Sequence, residues 1–330
     1  MRILCTAPYF RPVPERFATV FRKHGIEYDN PFVAQNMSEA ELLGCIERYD
    51  GVIAGDDEFT ARVIERGARA RLKVIAKWGV GVNAIDLAAA ERHGVAVRRS
   101  PGILSDAVAD AAWGYILMLA RRLHESDALV RKGEWAKLPG LGLRGRALGV
   151  IGVGDIGKQI ALRGVPFGMR LLGNDIRPID RAFLGYSGMR LVSKDDLLRE
   201  SDFVVVACDL NPTSHHLLGG PEFPLFKRSA FLVNIARGAI VDSAALVAAL
   251  REGLIAGAAL DVYEDEPLPA DSPLRAFHNV LLNAHNAFDA DTAVEAVSEN
   301  TVRQLLLVLR PEAAADLDRA ASGGLALTPP

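Results

Sequence analysis

The sequence predicts an α/β protein built from two doubly wound domains, and three observations lead there. Short β-branched runs alternate with amphipathic helical stretches along most of the chain. Most of those runs are apolar enough to be buried on both faces, as strands of a helix-covered parallel sheet are. A chain of 330 residues, half of them apolar, can fill two cores at about 100 to 200 residues per domain. Right-handed crossovers then make doubly wound sheets the natural arrangement.

Taken in order, "RILCTA" reads as a first strand, its apolar run too short for a signal peptide. "GVIAG", "LKVIAKWG" and "VAVRR" follow as strands, with "EAELLGCIERY" and "AIDLAAAERHG" as helices between them. One long helical pattern then runs from Ser105 to Lys132. Its most apolar part, Ala111 to Ala120, is bounded by Asp110 and Arg121 and falls short of the about 20 residues a membrane span requires, so it reads as a core helix. A second series of strands follows in "ALGVIGVG", "MRLLGND", "DFVVVACDL", "AFLVNIA", "GAALDVY" and "NVLLNAH". The closing "PEAAADLDRAASGGLALTPP" has the Ala, Gly and Pro bias of a frayed end.

Composition narrows the function classes. A formal net charge of -3 argues against a nucleic-acid or membrane-surface partner. Cys5, Cys45 and Cys208 are far apart and in no disulfide or zinc spacing, so reduced thiols, no metal and a cytoplasmic protein are expected.

The stretch "LGVIGVGDIGKQIALRGVPFGMRLLGNDIRP" carries G-x-G-x-x-G at Gly152, Gly154 and Gly157. A glycine triplet alone is an ordinary turn signal. Here a strand runs into it, a helix leaves it, and a second strand ends in Asp175, about 20 residues further on. Gly152 permits the tight turn, Gly154 lets the backbone approach a pyrophosphate, and Gly157 allows close helix packing. The helix N-terminus offers N–H groups to the phosphates. Asp175 can accept hydrogen bonds from the adenosine ribose, which favours NAD over NADP. Arg177 complicates that preference, because an arginine nearby can accommodate a 2′-phosphate, although its place before Pro178 suggests that it faces solvent.

Beyond the glycine loop, "FKRSAFLVNIARGAIVDSAALVAALREGLIAGAALDVYEDEPLP" and "NVLLNAHNAF" resemble the D-isomer-specific 2-hydroxyacid dehydrogenases. The resemblance runs from about Leu72 to His285 and includes "LKVIAKWGVGVNAIDL", "GEW" and "NPTSHHLLG". It implies a substrate arginine at Arg237, a carboxylate at Glu266 and an acid/base histidine at His285. It further implies backbone N–H groups at Val80 and Gly81 for the substrate carboxylate, and a contact between Asp261 and the nicotinamide carboxamide. The expected cofactor-binding set is completed by Asp155, Ile156, Cys208, Pro212 and Ile235. By the same resemblance the Ser105 to Lys132 helix makes a homodimer, with Trp135 at its interface.

Chemistry explains why such a set is needed. Reducing a 2-keto acid to a 2-hydroxy acid takes hydride at the carbonyl carbon, a proton at its oxygen and an anchor for the carboxylate. The planar guanidinium of Arg237 suits the anchor and polarises the carbonyl. An imidazole, with an ordinary pKa of about 6.5, suits the proton transfer at His285, and Glu266 would fix its tautomer. Singly, Arg237 reads as a surface arginine, Glu266 as a solvated loop carboxylate and His285 as a strand-end histidine. Together, in this order after a dinucleotide loop, they read as one site.

Other candidates carry less. His215 and His216 have no acidic or cysteine cluster near them in sequence and read as exposed loop histidines. Trp78 reads as core packing, with a specificity role left open by its place in the substrate loop. Asn83, Ala84, Leu104 and Ala284 depart from the family's usual residues and leave the substrate open. Phe288 leans toward the lactate-type branch, and glutamate at 266 argues against formate oxidation. The alternatives are an NAD(H)-sensing corepressor-like binding protein on the same fold and another two-domain NAD enzyme class, which would lack this order of motifs.

The expected architecture is therefore a Rossmann NAD-binding domain, residues 99–287, inserted in a discontinuous flavodoxin-like substrate domain formed by residues 1–98 and 288–330. The active site is expected in the cleft between them, closing on a small 2-hydroxy or 2-keto carboxylic acid.

Overall fold

The computed structural model describes residues 1–322, and they divide into two compact units. The first comprises Met1–Leu104 with the residues from Ala290 on, and the second comprises Ser105–Asp289.

In the first unit, β1 (Arg2–Cys5), β2 (Glu27–Asp29), β3 (Gly51–Ala54), β4 (Val74–Lys77) and β5 (Ala96–Arg98) form one parallel sheet in the order β2-β1-β3-β4-β5. That is the flavodoxin-type order. The central strands β3 and β4 are buried along their whole length, as strands covered on both faces must be. Part of the cover comes from helix Asp291–Leu309, which packs on β3 and β4. Gly51 makes the approach possible, since a Cβ there would lie 2.9 Å from Leu309 Cδ1 and 3.1 Å from Leu305 Cδ1.

The second unit holds β6 (Ala147–Ile151), β7 (Arg170–Asn174), β8 (Arg190–Leu191), β9 (Phe203–Val206), β10 (Phe231–Asn234), β11 (Gly257–Leu260) and β12 (Val280–Leu282). They form a parallel sheet in the order β12-β11-β10-β9-β6-β7-β8. The winding reverses between β6 and β9, the switch point at which such sheets bind dinucleotides beyond their strand ends. Helix Ser105–Arg121 packs against helix Asp155–Gly164, where Trp113 Nε1 donates to Ile160 O (2.9 Å) and its ring stacks on Phe167.

The structure corrects several sequence expectations. The single helix expected from Ser105 to Lys132 is two, Ser105–Arg121 and Leu123–Arg131. They are separated by Arg122 at φ 51, whose guanidinium holds Glu125 through two hydrogen bonds of 2.9 and 2.7 Å. "EAELLGCIERY" is a short helix, Glu39–Leu43, closed by Gly44 and followed by a 3₁₀ turn. β2 and helices Glu15–Lys23 and Ala61–Ala70 complete the first sheet's crossovers in stretches left unassigned by the apolar pattern. The expected frayed end is instead helical over Pro311–Ser322, in keeping with its alanine content. That helix buries Ala313, Ala314 and Leu317, and its Asp316 meets Lys23 Nζ (2.6 Å) and His24 Nε2 (2.8 Å). The remainder of that expectation, residues 323–330, lies outside the described residues.

Candidate active site

Each site residue of the second unit follows the C-terminal end of a strand. β6 delivers the chain to Gly152, whose φ of +92 favours glycine. A Cβ there would also stand 2.4 Å from Cys208 N, at the end of neighbouring β9. Gly157 is required for a different reason, because its Cβ would fall 2.0 Å from Gly152 O. Gly154 faces open space: the one atom within 4 Å of a Cβ there is Arg177 Nη2, at 3.8 Å. Asp155 and Ile156 open the helix that follows, so its first N–H groups point at this space.

Asp175 stands just past β7 with its side chain 6% exposed. Its Oδ2 accepts from Val153 N (2.7 Å) and its Oδ1 from Arg177 N (2.8 Å), so the acid fastens the glycine loop to the adjoining strand end. Arg177, expected to face solvent, is largely exposed but folds back, with Nε 3.8 Å from Asp175 Oδ1. Cys208 is half-buried, and burial pushes its thiol up to about 11. Pro212 lies exposed on the loop after β9, and Ile235 is buried after β10.

The catalytic candidates are shaped by buried amides and acids. Asn234, the last residue of β10, accepts from Ala236 N (3.1 Å) through Oδ1 and donates to Arg237 O (3.0 Å) through Nδ2. This local turn presents Arg237, whose Nη1 donates to Ala236 O (2.7 Å). After β11, the Asp261 carboxylate is almost completely buried. Its Oδ1 accepts from Tyr115 Oη (3.1 Å), Asn283 Nδ2 (2.7 Å) and Asn286 N (3.2 Å), and its Oδ2 from Ala287 N (3.2 Å). Its carbonyl accepts from His285 N (2.8 Å), so the turn after β12 is held while His285 sits at φ 53. His285 Nδ1 lies 2.7 Å from Glu266 Oε2, and Glu266 Oε1 accepts from Tyr263 N (3.0 Å).

Sequence reasoning did not find Tyr115, Asn283 and Tyr263, which support this turn. Tyr263 Oη donates to Asn283 O (2.7 Å) and accepts from Asn283 N (3.1 Å), and burial pushes its phenol up to about 12. Tyr115 was detectable as a polar tip within an otherwise apolar helix. His215 and His216 lie exposed on the loop after β9, as read from the sequence, and the fold brings Glu264, distant in sequence, to His216 Nε2 and Asp242 Oδ2 to 4.0 Å from its Nδ1. Among the described residues no group of three or more His, Cys, Asp and Glu side chains is placed to hold a metal ion, and the three cysteines are free thiols.

In the first unit, Val80 and Gly81 follow β4, and their N–H groups have no acceptor among the described residues. Trp78, beside them, is core packing. It is buried, donates from Nε1 to Ser298 Oγ (2.9 Å) and stacks on Tyr9 at 5.3 Å between centroids.

Residues 113–287 match the model of the NAD binding domain of D-isomer specific 2-hydroxyacid dehydrogenases. The chain belongs to the D-isomer specific 2-hydroxyacid dehydrogenase family. It is similar to the glyoxylate reductase of Aeropyrum pernix, 45% identical over 226 residues that make up 66% of this chain and 67% of that one. The glyoxylate reductase of Thermococcus onnurineus is 38% identical over 308 residues, 90% of each chain. Among solved structures, the TT0316 protein from Thermus thermophilus is 36% identical, with a TM-score of 0.83 over 94% of this chain and 97% of that one. This 2-hydroxyacid dehydrogenase is an NAD-dependent oxidoreductase. Its glycine loop fits the cofactor, since Gly154 leaves the space a pyrophosphate needs while Gly152 and Gly157 are close-packed on the protein side.

Two expectations follow for the cofactor. Gly157→Ala forces a methyl group onto Gly152 O, and NADH affinity measured by fluorescence titration should fall roughly tenfold or more. Asp175→Ser should lower kcat/KM with NADH and narrow the gap to NADPH, Arg177 being at hand for the phosphate. A wild-type enzyme that already prefers NADPH would transfer control of the pocket from Asp175 to Arg177.

Proposed function

We propose that this dehydrogenase interconverts a short, unphosphorylated 2-keto acid, glyoxylate or a near homologue, with its 2-hydroxy acid, in the D configuration where the product is chiral. The observation that carries the reading is the 2.7 Å contact of His285 Nδ1 with Glu266 Oε2, one strand end beyond Asp261 and two beyond Arg237. The names of the relatives support the small substrate.

In this reading Arg237 holds the substrate carboxylate and carbonyl oxygen in its planar fork, and the N–H groups of Val80 and Gly81 bind the carboxylate. His285 gives a proton to the carbonyl oxygen in reduction and takes it back in oxidation. Glu266 fixes the ring's tautomer and orientation, leaving Nε2 for the proton transfer. NAD, when bound, supplies or accepts the hydride. Gly152, Gly154, Asp155, Ile156, Gly157, Asp175, Cys208, Pro212 and Ile235 bind it. Asp261 Oδ2, which takes one donor from the protein, retains a lone pair for the carboxamide. The enzyme acts as a cytoplasmic homodimer formed through the two helices between Ser105 and Arg131. Leu123, Val130 and Trp135, all exposed, support that role.

A panel of 2-keto acids tests the substrate class. Glyoxylate and pyruvate should give higher kcat/KM than 3-phosphohydroxypyruvate, and the reverse order would overturn the assignment. His285→Ala should bind NADH as the wild type does while turnover falls by about 10²-fold or more. Unchanged turnover would remove His285 from the chemistry.

A further inference from the structure

We propose that His216 and Glu264 are positioning residues for the dehydrogenase reaction, an imidazole–carboxylate clasp that holds the loop after β9 against the turns that present Arg237 and Glu266. This rests on the roles given above to Arg237, Glu266 and His285.

Three segments meet at the clasp. The loop after β9 runs alongside the 3₁₀ turn Gly238–Ile240, with His216 N donating to Ala239 O (2.8 Å) and Leu218 N to Ile240 O (3.1 Å). That turn begins at the residue after Arg237. Its other side presses on the segment after β11: a Cβ on Gly238 would lie 1.8 Å from Tyr263 C and 2.3 Å from Glu264 N. Close packing brings these backbones together but does not by itself fix their register. Glu264 supplies directional bonds to both neighbours. Its Oε1 pairs with His216 Nε2, and its Oε2 accepts from Ser243 N (3.0 Å), at the start of helix Ser243–Arg251.

The groups around the imidazole are Glu264 at Nε2, Asp242 at 4.0 Å from Nδ1, and the stacked ring of His215 at 4.1 Å between centroids. His216 itself has φ 48, a conformation that non-glycine residues keep when their surroundings over-determine it. Burial pushes the Glu264 carboxyl up, but the hydrogen bonds from Ser243 and His216 outweigh it and leave the group below the usual carboxylate range. Two residues further on, Glu266 grips His285. A displacement at 264 therefore reaches the acid/base pair within one turn of chain, and small misplacements of reacting groups carry large rate penalties.

The pair is partly exposed, so it adds little to global stability, and its loss should appear in the rate. In the full-length enzyme, His216→Ala and Glu264→Ala should each lower kcat roughly tenfold, while Tm and NADH affinity stay close to wild type. The double variant should be no slower than the slower single one, because both remove the same link. Glu264→Gln, which keeps an acceptor oxygen, should recover most of the rate. Near-wild-type kcat in both alanine variants would overturn the proposal. So would losses that add in the double variant and track a parallel fall in Tm and NADH affinity. His285→Ala separates the two levels: if it too turns over normally, the underlying reading fails, whereas a slow His285→Ala beside normal clasp variants rejects the clasp alone.

Discussion

The geometry of the candidate site in the second unit depends on one buried carboxylate. Asp261 gathers four donors on its side-chain oxygens, from a helix, a strand end and the turn beyond it, and its carbonyl takes the His285 N–H. A carboxylate in that position is tolerable because both of its oxygens accept hydrogen bonds. Once it is satisfied, the path of the chain from Asn283 to Ala287 has little freedom left, and the backbone of His285 is carried into a region that its side chain would otherwise avoid. The pairing with Glu266 follows from that placement.

The glycine loop obeys the same economy of space. Two of its glycines are needed where the protein meets itself, and one where the protein must leave room. Asp175 then ties the loop to β7, so the cradle is braced before any ligand arrives. Preorganisation of this kind keeps the ordering cost of binding small.

Much of this was legible in the sequence, for identifiable reasons. Buried parallel strands announce themselves as apolar runs, which is why β1, β3 and β4 and nearly all of the second sheet could be read directly. β2, with the sequence Glu-Tyr-Asp, is a half-exposed edge strand, and β8 has two residues, so neither leaves such a run. The break at Arg122 escaped because no glycine or proline marks it; the left-handed residue is an arginine held by Glu125. Arg237, Glu266 and His285 stand out as candidates through motif order, while the side chains that hold their turns leave no such signal. Tyr115 and Asp261 are 146 positions apart, and His216 and Glu264 are 48 apart. Those pairings exist only once the strand order has brought their segments together.

The interrupted first unit also sets an order of assembly. Helix Asp291–Leu309 covers β3 and β4, and its Leu305 and Leu309 close over Gly51. The ribosome releases that helix after the whole of Ser105–Asp289 has emerged. The continuous unit can therefore complete its own core during synthesis, while the earlier-made strands wait with an uncovered face. During that interval the apolar surface of β3 and β4 stays open to water and to other chains.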